Sequence, residues 1–226
     1  MNSFEIEIKS LLGAKEVAEE FKKRLQSARP KMKLVSEGRQ LNHYFNLAKD
    51  LKILENALID MVPSEKKDSL KNILEHGNKI SLRTRDADGK VILVLKASIG
   101  GDTSANGVQR IEFEAELKGK SLEELDKALL GAGCSYQAKW SRAREEYADG
   151  DIHICMDKNA GYGYLVEFEK VISDKADSDK AHKELIAFMK ELGVEELPQD
   201  RLERMFAYYN AHWPEYYGTE NTFTVK

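Results

Sequence analysis

Phe4-Glu5-Ile6-Glu7-Ile8-Lys9 alternates apolar and charged residues without a break. A strand sends successive side chains to opposite faces, so Glu5, Glu7 and Lys9 share one face while Phe4, Ile6 and Ile8 share the other. Taken alone, this is the common pattern of a half-buried antiparallel strand whose charged face meets solvent. The pattern recurs downstream with complementary chemistry. Val108 to Leu117 alternates again, setting Arg110, Glu112, Glu114 and Glu116 opposite Ile111, Phe113, Ala115 and Leu117, and Tyr164-Leu165-Val166-Glu167-Phe168-Glu169 repeats the paired acids. Basic strands lie around them. Ile80 to Arg85 sets Arg83 and Arg85 on one face, Val91 to Ala97 carries Lys96, and Trp140 to Tyr147 sets Arg142 beside Arg144. Like charges this dense repel unless ligands or counter-charges separate them. The strands therefore read as one surface that binds cations and polyanions together.

Composition narrows the classes. At 226 residues the chain has room for one generous domain, and an all-β barrel with helices around it is of ordinary size. A formal net charge of −4 argues against a surface built to grip nucleic acid, so a polyanion must meet a local basic site. Cys134 and Cys155 have no zinc-like spacing, and His43, His76, His153, His182 and His212 are scattered. Both cysteines read as small buried or half-buried residues in a reducing compartment. No signal peptide fits an N-terminus that enters a strand at once, and no apolar run approaches the ~20 residues that span a bilayer. A soluble cytoplasmic protein without a membrane or nucleic-acid partner is the expectation.

The remaining elements follow from periodicity and caps. Lys15 to Ala28 has Val17, Ala18, Phe21 and Leu25 at helical spacing and stops before Pro30, and a second strand falls around Leu41 to Phe45. Residues 48–76 read as two helices broken at Pro63, with Ser64 as an N-cap and Gly77 as a stop. They form an insertion between two strands, at about 49–78. Gly100 to Gly107 is a loop by composition, a connector or a lid. Ser121-Leu122-Glu123-Glu124 has capping-box spacing and starts a helix to about Leu130, and Ala181 to Leu192 forms another, stopped by Gly193. A last helix begins near Pro198 and runs into an aromatic tail, Met205 to Tyr217, which either packs on the outside or serves a subunit contact or tunnel mouth. At least seven strands are countable. If their charged faces converge, the apolar faces point outward under amphipathic helices: an α+β protein, an antiparallel barrel with a charged lumen.

These residues resemble the CYTH, or triphosphate tunnel metalloenzyme, superfamily, which includes thiamine triphosphatases, tripolyphosphatases and class IV adenylyl cyclases. Glu5-x-Glu7-x-Lys9 resembles its ExExK motif. Asn42-His43-Tyr44-Phe45 is similar to the second strand, Leu82-Arg83-Thr84-Arg85 to LRxR, Leu95-Lys96-Ala97 to the lysine-bearing fourth strand, and Arg110-x-Glu112-x-Glu114 to RxExE. Arg142-x-Arg144-x-x-Tyr147 is similar to K/R-x-R-x-x-Y, and Asp157, ten residues before Glu167, opens a stretch like the D…G…ExE ending. The resemblance covers about residues 4–171 in the family's order. Residues 49–78 are longer than the family's usual connection, and the resemblance carries no role over to the tail at about 198–226.

The resemblance implies an eight-stranded antiparallel tunnel, one domain over 1–226, helices outside, and a small-molecule triphosphate held with Mg²⁺ or Mn²⁺. The implied metal ligands are Glu5, Glu7, Glu112, Glu114, Glu167 and Glu169. Lys9, Arg83, Arg85, Lys96, Arg110, Arg142 and Arg144 would hold phosphates, with Lys9, Arg83, Arg144 and Asp157 nearest the chemistry. A homodimer is compatible with the family. The leading expectation is metal-dependent hydrolysis of tripolyphosphate, a nucleoside triphosphate or thiamine triphosphate. The alternatives are a class IV cyclase making cyclic AMP and pyrophosphate, and a non-catalytic polyphosphate- or nucleotide-binding module. The His-Phe pair that precedes ExExK in well-known class IV cyclases is missing, which favours the hydrolase.

Overall fold

The computed structural model of the chain describes residues 4–98 and 110–225, and the side chains of all of these except residues 4, 5, 98, 110, 111 and 175. The loop expected at Gly100 to Gly107 lies outside the described residues. Eight strands follow one another as β1 (Phe4–Gly13), β2 (Lys33–Asn46), β3 (Asn78–Ala87), β4 (Lys90–Ser98), β5 (Arg110–Glu116), β6 (Ser135–Asp149), β7 (Ile152–Asn159) and β8 (Gly163–Ile172). Six helices accompany them among the described residues: α1 (Lys15–Ala28), α2 (Leu51–Ile59), α3 (Lys67–His76), α4 (Leu122–Gly131), α5 (Ser178–Glu191) and α6 (Gln199–His212). The strands form one sheet in the order β1-β8-β7-β6-β2-β3-β4-β5. That order has two ends, so the expected strand number and α+β class are found while closure into a barrel is not.

Two compact units are distinguished, one built from Met1–Arg39 and Ser141–Lys226, the other from Gln40–Trp140. In the first, β1 pairs with β8, β8 with β7, and β7 with β6, all antiparallel. The apolar face of these strands carries Ile8, Leu12, Ile154, Met156, Val166 and Phe168, which bury against Ala18, Phe21 and Leu25 of α1 and Leu185, Phe188 and Met189 of α5. Phe168 meets Phe21 edge-on at 6.0 Å and Phe188 edge-on at 5.8 Å, so one ring pins both helices to the sheet. Truncating a ring so placed costs about 3–5 kcal/mol.

The chain's end also belongs to this unit. The backbone N–H of Phe223 donates to the Gly161 carbonyl at 2.7 Å, and the rings of Tyr162, Tyr209, Tyr216 and Phe223 meet edge-on or tilted around the β7–β8 turn. Gly161 has φ +83° and no room for a Cβ, which would stand 2.8 Å from both Phe223 and Tyr209. The aromatic tail is thus an internal packing element of the unit.

In the second unit β2, β3, β4 and β5 pair antiparallel. Leu82, Leu93, Leu95, Phe113 and Ala115 form the apolar face, covered by Leu54 and Leu58 of α2, Leu70 and Ile73 of α3, and Leu125 and Leu129 of α4. The 49–78 segment is therefore part of the cover of this face, shared with α4. Its α3 starts at Lys67 after a 3₁₀ turn over Ser64–Lys66, so Ser64 does not cap it. Pro63, held near φ −55°, directs the chain into the 3₁₀ turn first. Ser121 and Glu124 do form the reciprocal capping box. The second strand is longer than its motif, and α5 begins three residues before the expected Ala181. No described helix is long and apolar enough to cross a membrane.

Candidate active site

In the first unit the register gathers the motif residues on the face opposite the helices. Glu7 stands across from Glu169 and Lys9 from Glu167 between β1 and β8; Cys155 pairs with Glu167 and His153 with Glu169 between β7 and β8; Arg144 pairs with Asp157 between β6 and β7. Residues directly opposite in an antiparallel pair share a face. Hence Glu7, Lys9, Arg142, Arg144, Asp157, Glu167 and Glu169 form one charged wall. The Glu5 backbone sits in the same strand opposite Val171, and its side chain lies outside the described residues.

Within the wall the charges interlock. Lys9 ion-pairs with Glu7 and lies 3.3 Å from Glu167. Asp157, 1% exposed, accepts from Arg142 Nη1 at 3.0 Å and from Arg144 Nε and Nη2 at 2.7 and 2.6 Å. The second pair of contacts is a bidentate carboxylate–guanidinium fork, which fixes the plane of Arg144. Arg144 also donates to Glu167. Burial pushes the Glu167 carboxyl upward, but Lys9, Arg144 and Arg142 outweigh it and hold it below the ordinary 4.5. It is ionised at neutral pH. Tyr147, matched to the same motif as Arg142 and Arg144, lies on the opposite face and donates to Glu145.

Across β1, β8, β7 and β6 this face carries five described carboxylates, Glu7, Glu146, Asp157, Glu167 and Glu169, against Lys9, Arg142 and Arg144. The excess is two negative charges, with His153 sharing a hydrogen bond with Glu146 at 2.9 Å. An acidic excess of that size, offered by carboxylate oxygens, fits a hard divalent cation, which prefers oxygen ligands completed by water or phosphate. Glu7, Glu167 and Glu169 are the residues placed to hold it. Cys155 stands among them, its sulfur and the Glu167 and Glu169 oxygens lying within 4.8 Å of one another. Burial pushes this thiol up to about 12, with Arg144 opposing; a neutral thiol is no ligand for Mg²⁺.

The second unit presents its own charged face. Arg83 Nη1 donates to the Tyr44 hydroxyl at 2.9 Å, while its buried Nε has no partner among the described residues. Arg85 donates from Nε to Asn42 at 3.0 Å and ion-pairs with Glu114 at 3.5 Å; Lys96 ion-pairs with Glu112 at 2.7 Å. Glu112 is thus matched by a base on the adjacent strand β4, and Glu114 by one on β3, two strands away. The Arg110 backbone pairs with Ser98, and its side chain lies outside the described residues.

Behind that face is a polar network with no counterpart in the motif reading. Asp126 on α4, 4% exposed, accepts from Thr84 at 2.7 Å and Tyr136 at 2.7 Å and shares a 2.6 Å hydrogen bond with His43 Nδ1. His43 and Thr84 are the inward neighbours of Asn42, Tyr44, Arg83 and Arg85, so the network ties the two strands that carry these residues to α4. Strand alternation shows which face His43 and Thr84 occupy; nothing in a single sequence links them to Asp126. Cys155 was legible in principle, two residues from Asp157 on the same strand face.

An antiparallel sheet with helices on its apolar face and interleaved acids and bases on the other agrees with the CYTH resemblance of the sequence. The CYTH domain model matches residues 71–201, more than half of the chain, and the chain belongs to this family. A Methanocaldococcus jannaschii protein named "Putative adenylate cyclase" is 27% identical over 114 residues; the match covers 50% of this chain and 62% of that relative's length. Among solved structures, one from Vibrio parahaemolyticus named "putative adenylate cyclase" matches with a TM-score of 0.56 at 12% identity, covering 92% of this chain and 99% of that one. A Hippeastrum protein, named a "putative adenylyl cyclase" with a dominant triphosphatase activity, matches with a TM-score of 0.50 at 16% identity, covering 92% and 96%. At these identities the solved structures speak for the fold.

Proposed function

We propose that the protein is a Mg²⁺- or Mn²⁺-dependent triphosphatase acting on tripolyphosphate, a nucleoside triphosphate or thiamine triphosphate. The observation that carries this reading is the wall of the first unit, where an acidic excess suited to one divalent ion is interleaved with three phosphate-seeking cations. Anion binding alone needs no carboxylates, which weighs against a module that merely holds polyphosphate.

Glu7, Glu167 and Glu169 would hold the ion, with Glu5, two residues before Glu7 in the sequence, as a further candidate. When bound, the ion supplies Lewis-acid charge to phosphate oxygens and favours ionisation of water. Lys9, Arg142 and Arg144 take non-bridging phosphate oxygens, and Asp157 keeps the two guanidiniums in plane. In the second unit Arg83, Arg85 and Lys96 offer the same chemistry, with Arg83 Nε without a partner among the described residues; Arg110 shares their role by its motif. Glu112 and Glu114 serve chiefly as counter-charges. Water attacks the terminal phosphorus, the bond to the bridging oxygen breaks, and orthophosphate leaves. Phosphoryl transfer asks mainly for positioning and charge stabilisation, which this constellation provides without a covalent step.

A second reading is favoured by the name of the Methanocaldococcus relative: the ribose 3′-hydroxyl of ATP attacks the α-phosphorus and pyrophosphate leaves. Both readings use the same residues, and product analysis separates them. Protein incubated with Mg²⁺ or Mn²⁺ and each triphosphate should release orthophosphate, with no turnover in chelator. Cyclic AMP with pyrophosphate from ATP would overturn the hydrolase reading in favour of the cyclase. Retained phosphate affinity without turnover would support the binding module.

A further inference from the structure

Cys155 occupies an unusual place for an inert core cysteine. It is 2% exposed and in no disulfide, and its sulfur has no hydrogen-bond partner among the described residues. Its strand position directs it to the carboxylates of Glu167 and Glu169 rather than toward the helices, where Ile154 and Met156 bury. The three donor groups lie within 4.8 Å of one another. A hard ion such as Mg²⁺ leaves the sulfur unused, but a softer divalent ion gains a third protein ligand there.

We propose that Cys155, Glu167 and Glu169 form a binding site for a thiophilic divalent cation of the Zn²⁺ class, which takes the carboxylates that Mg²⁺ or Mn²⁺ would use and silences the enzyme. The inhibitory half of this inference rests on the triphosphatase reading; the binding half does not. Zinc–sulfur and zinc–oxygen bonds of about 2.3 and 2.0–2.2 Å place donors roughly 3.5 Å apart around a tetrahedral ion. The 4.8 Å spread closes to that by rotation of the two glutamate side chains, while the buried sulfur stays in place. On coordination the S–H bond breaks, the proton leaves to water, and a sulfur–metal bond forms. Water takes the fourth position.

The neighbouring charges are compatible with this. Lys9 and Arg144 contact opposite oxygens of Glu167, and a carboxylate offers about four lone-pair sites, so a metal bond does not require either to leave. Glu7 stands across from Glu169, and Glu146 pairs with Cys155 in register, adding negative charge around the ion. Asp157 is committed to Arg142 and Arg144.

Cd²⁺ is the probe, because a cadmium–thiolate bond has an ultraviolet charge-transfer band that cadmium–carboxylate bonds lack. The wild-type protein should develop the band to one equivalent of Cd²⁺, and Zn²⁺ should abolish it. Cys155→Ser should lose the band, and Cys134→Ser should keep it. Circular dichroism checks each fold; if Cys155→Ser is unfolded, Glu169→Gln, which keeps the thiol and removes a ligand charge, should weaken the Cd²⁺ titration. An absent wild-type band, a band lost with Cys134, or an unchanged titration in Glu169→Gln overturns the site. In the turnover assay, Zn²⁺ should inhibit wild type in competition with Mg²⁺, and Cys155→Ser should lose that sensitivity. Zn²⁺ inhibition that survives in Cys155→Ser refutes the inhibitory role. A band without any triphosphate turnover would leave the metal site standing and remove the triphosphatase reading; turnover without a band does the reverse.

Discussion

Asp157→Asn separates a positioning carboxylate from one that acts on the reacting atoms. The side chain is nearly isosteric, so packing survives while the negative charge goes. Asp157 receives three hydrogen bonds from two guanidiniums at 2.6–3.0 Å. An amide keeps a single acceptor oxygen and turns an N–H₂ toward groups that only donate. Breaking a fully buried pair costs about 3–5 kcal/mol. Here the arginine side chains retain 23% and 20% of their exposure, so water recovers part of that loss and about 2–3 kcal/mol is expected. For a chain of this length each kcal/mol lowers Tm by about 2–4 °C, giving a fall of roughly 4–12 °C by calorimetry. Arg144, left with Glu167, should shift by an ångström or so, and misplacement on that scale costs about 10²-fold in kcat/KM for triphosphate turnover. A variant with unchanged Tm and unchanged kcat/KM would refute the whole account of Asp157. Unchanged Tm with turnover abolished would refute its positioning role and put the carboxylate at the chemistry, where the motif reading set it.

Other perturbations test the supporting structure. Burial raises the Asp126 carboxyl and the bonds from His43, Thr84 and Tyr136 outweigh it, leaving it below 3.8, as Glu167 is held below 4.5. Folded-state values below the unfolded ones mean stability that is complete above those ordinary values and lost as pH falls past them and through the lower folded-state values, so the urea midpoint should fall progressively below about pH 5; Asp126→Asn should flatten that slope. Asp126→Ala strands buried His43 and Thr84 and half-buried Tyr136 and should cost about 3–5 kcal/mol in urea unfolding. Gly163→Ala should lower Tm sharply, because φ is +76° and the new Cβ would fall 2.2 Å from the Gly13 carbonyl oxygen, so the β1–β8 end must part or strain by about 2 kcal/mol or more. Phe223→Ala, removing a half-buried ring from the turn cluster, should cost about 1–3 kcal/mol, and an unchanged Tm would show that the tail does not brace the turn.

The sequence made the strand faces readable because alternation carries its own geometry: Glu7 and Lys9, Arg83 and Arg85, Arg142 and Arg144, and Glu167 and Glu169 each fall on a shared face as spacing by two requires. Helix starts were readable where chemistry marks them, as at Ser121. What stayed hidden depends on residues distant in sequence. His43 and Asp126 are 83 residues apart, and their bond exists because α4 packs across β2 and β3. The matching of Glu112 and Glu114 by Lys96 and Arg85 likewise follows from register between strands, which motif spacing within one strand does not encode. Ser64 misled because its hydroxyl suits a helix cap, yet Pro63 fixes a 3₁₀ turn at that point.

The first unit is discontinuous in sequence, with Gln40–Trp140 emerging between its two parts during synthesis. The second unit is one continuous stretch and has every residue it needs as soon as Trp140 leaves the ribosome. β1, made first, has to wait for Gly163–Ile172 before its hydrogen-bonding partner exists. Throughout that interval it is an exposed edge bearing Ile6, Ile8 and Leu12, and the charges at Glu5, Glu7 and Lys9 discourage it from pairing with a neighbouring nascent chain. The charges proposed to serve phosphate chemistry in the finished protein thus also guard this strand while it waits for its partner.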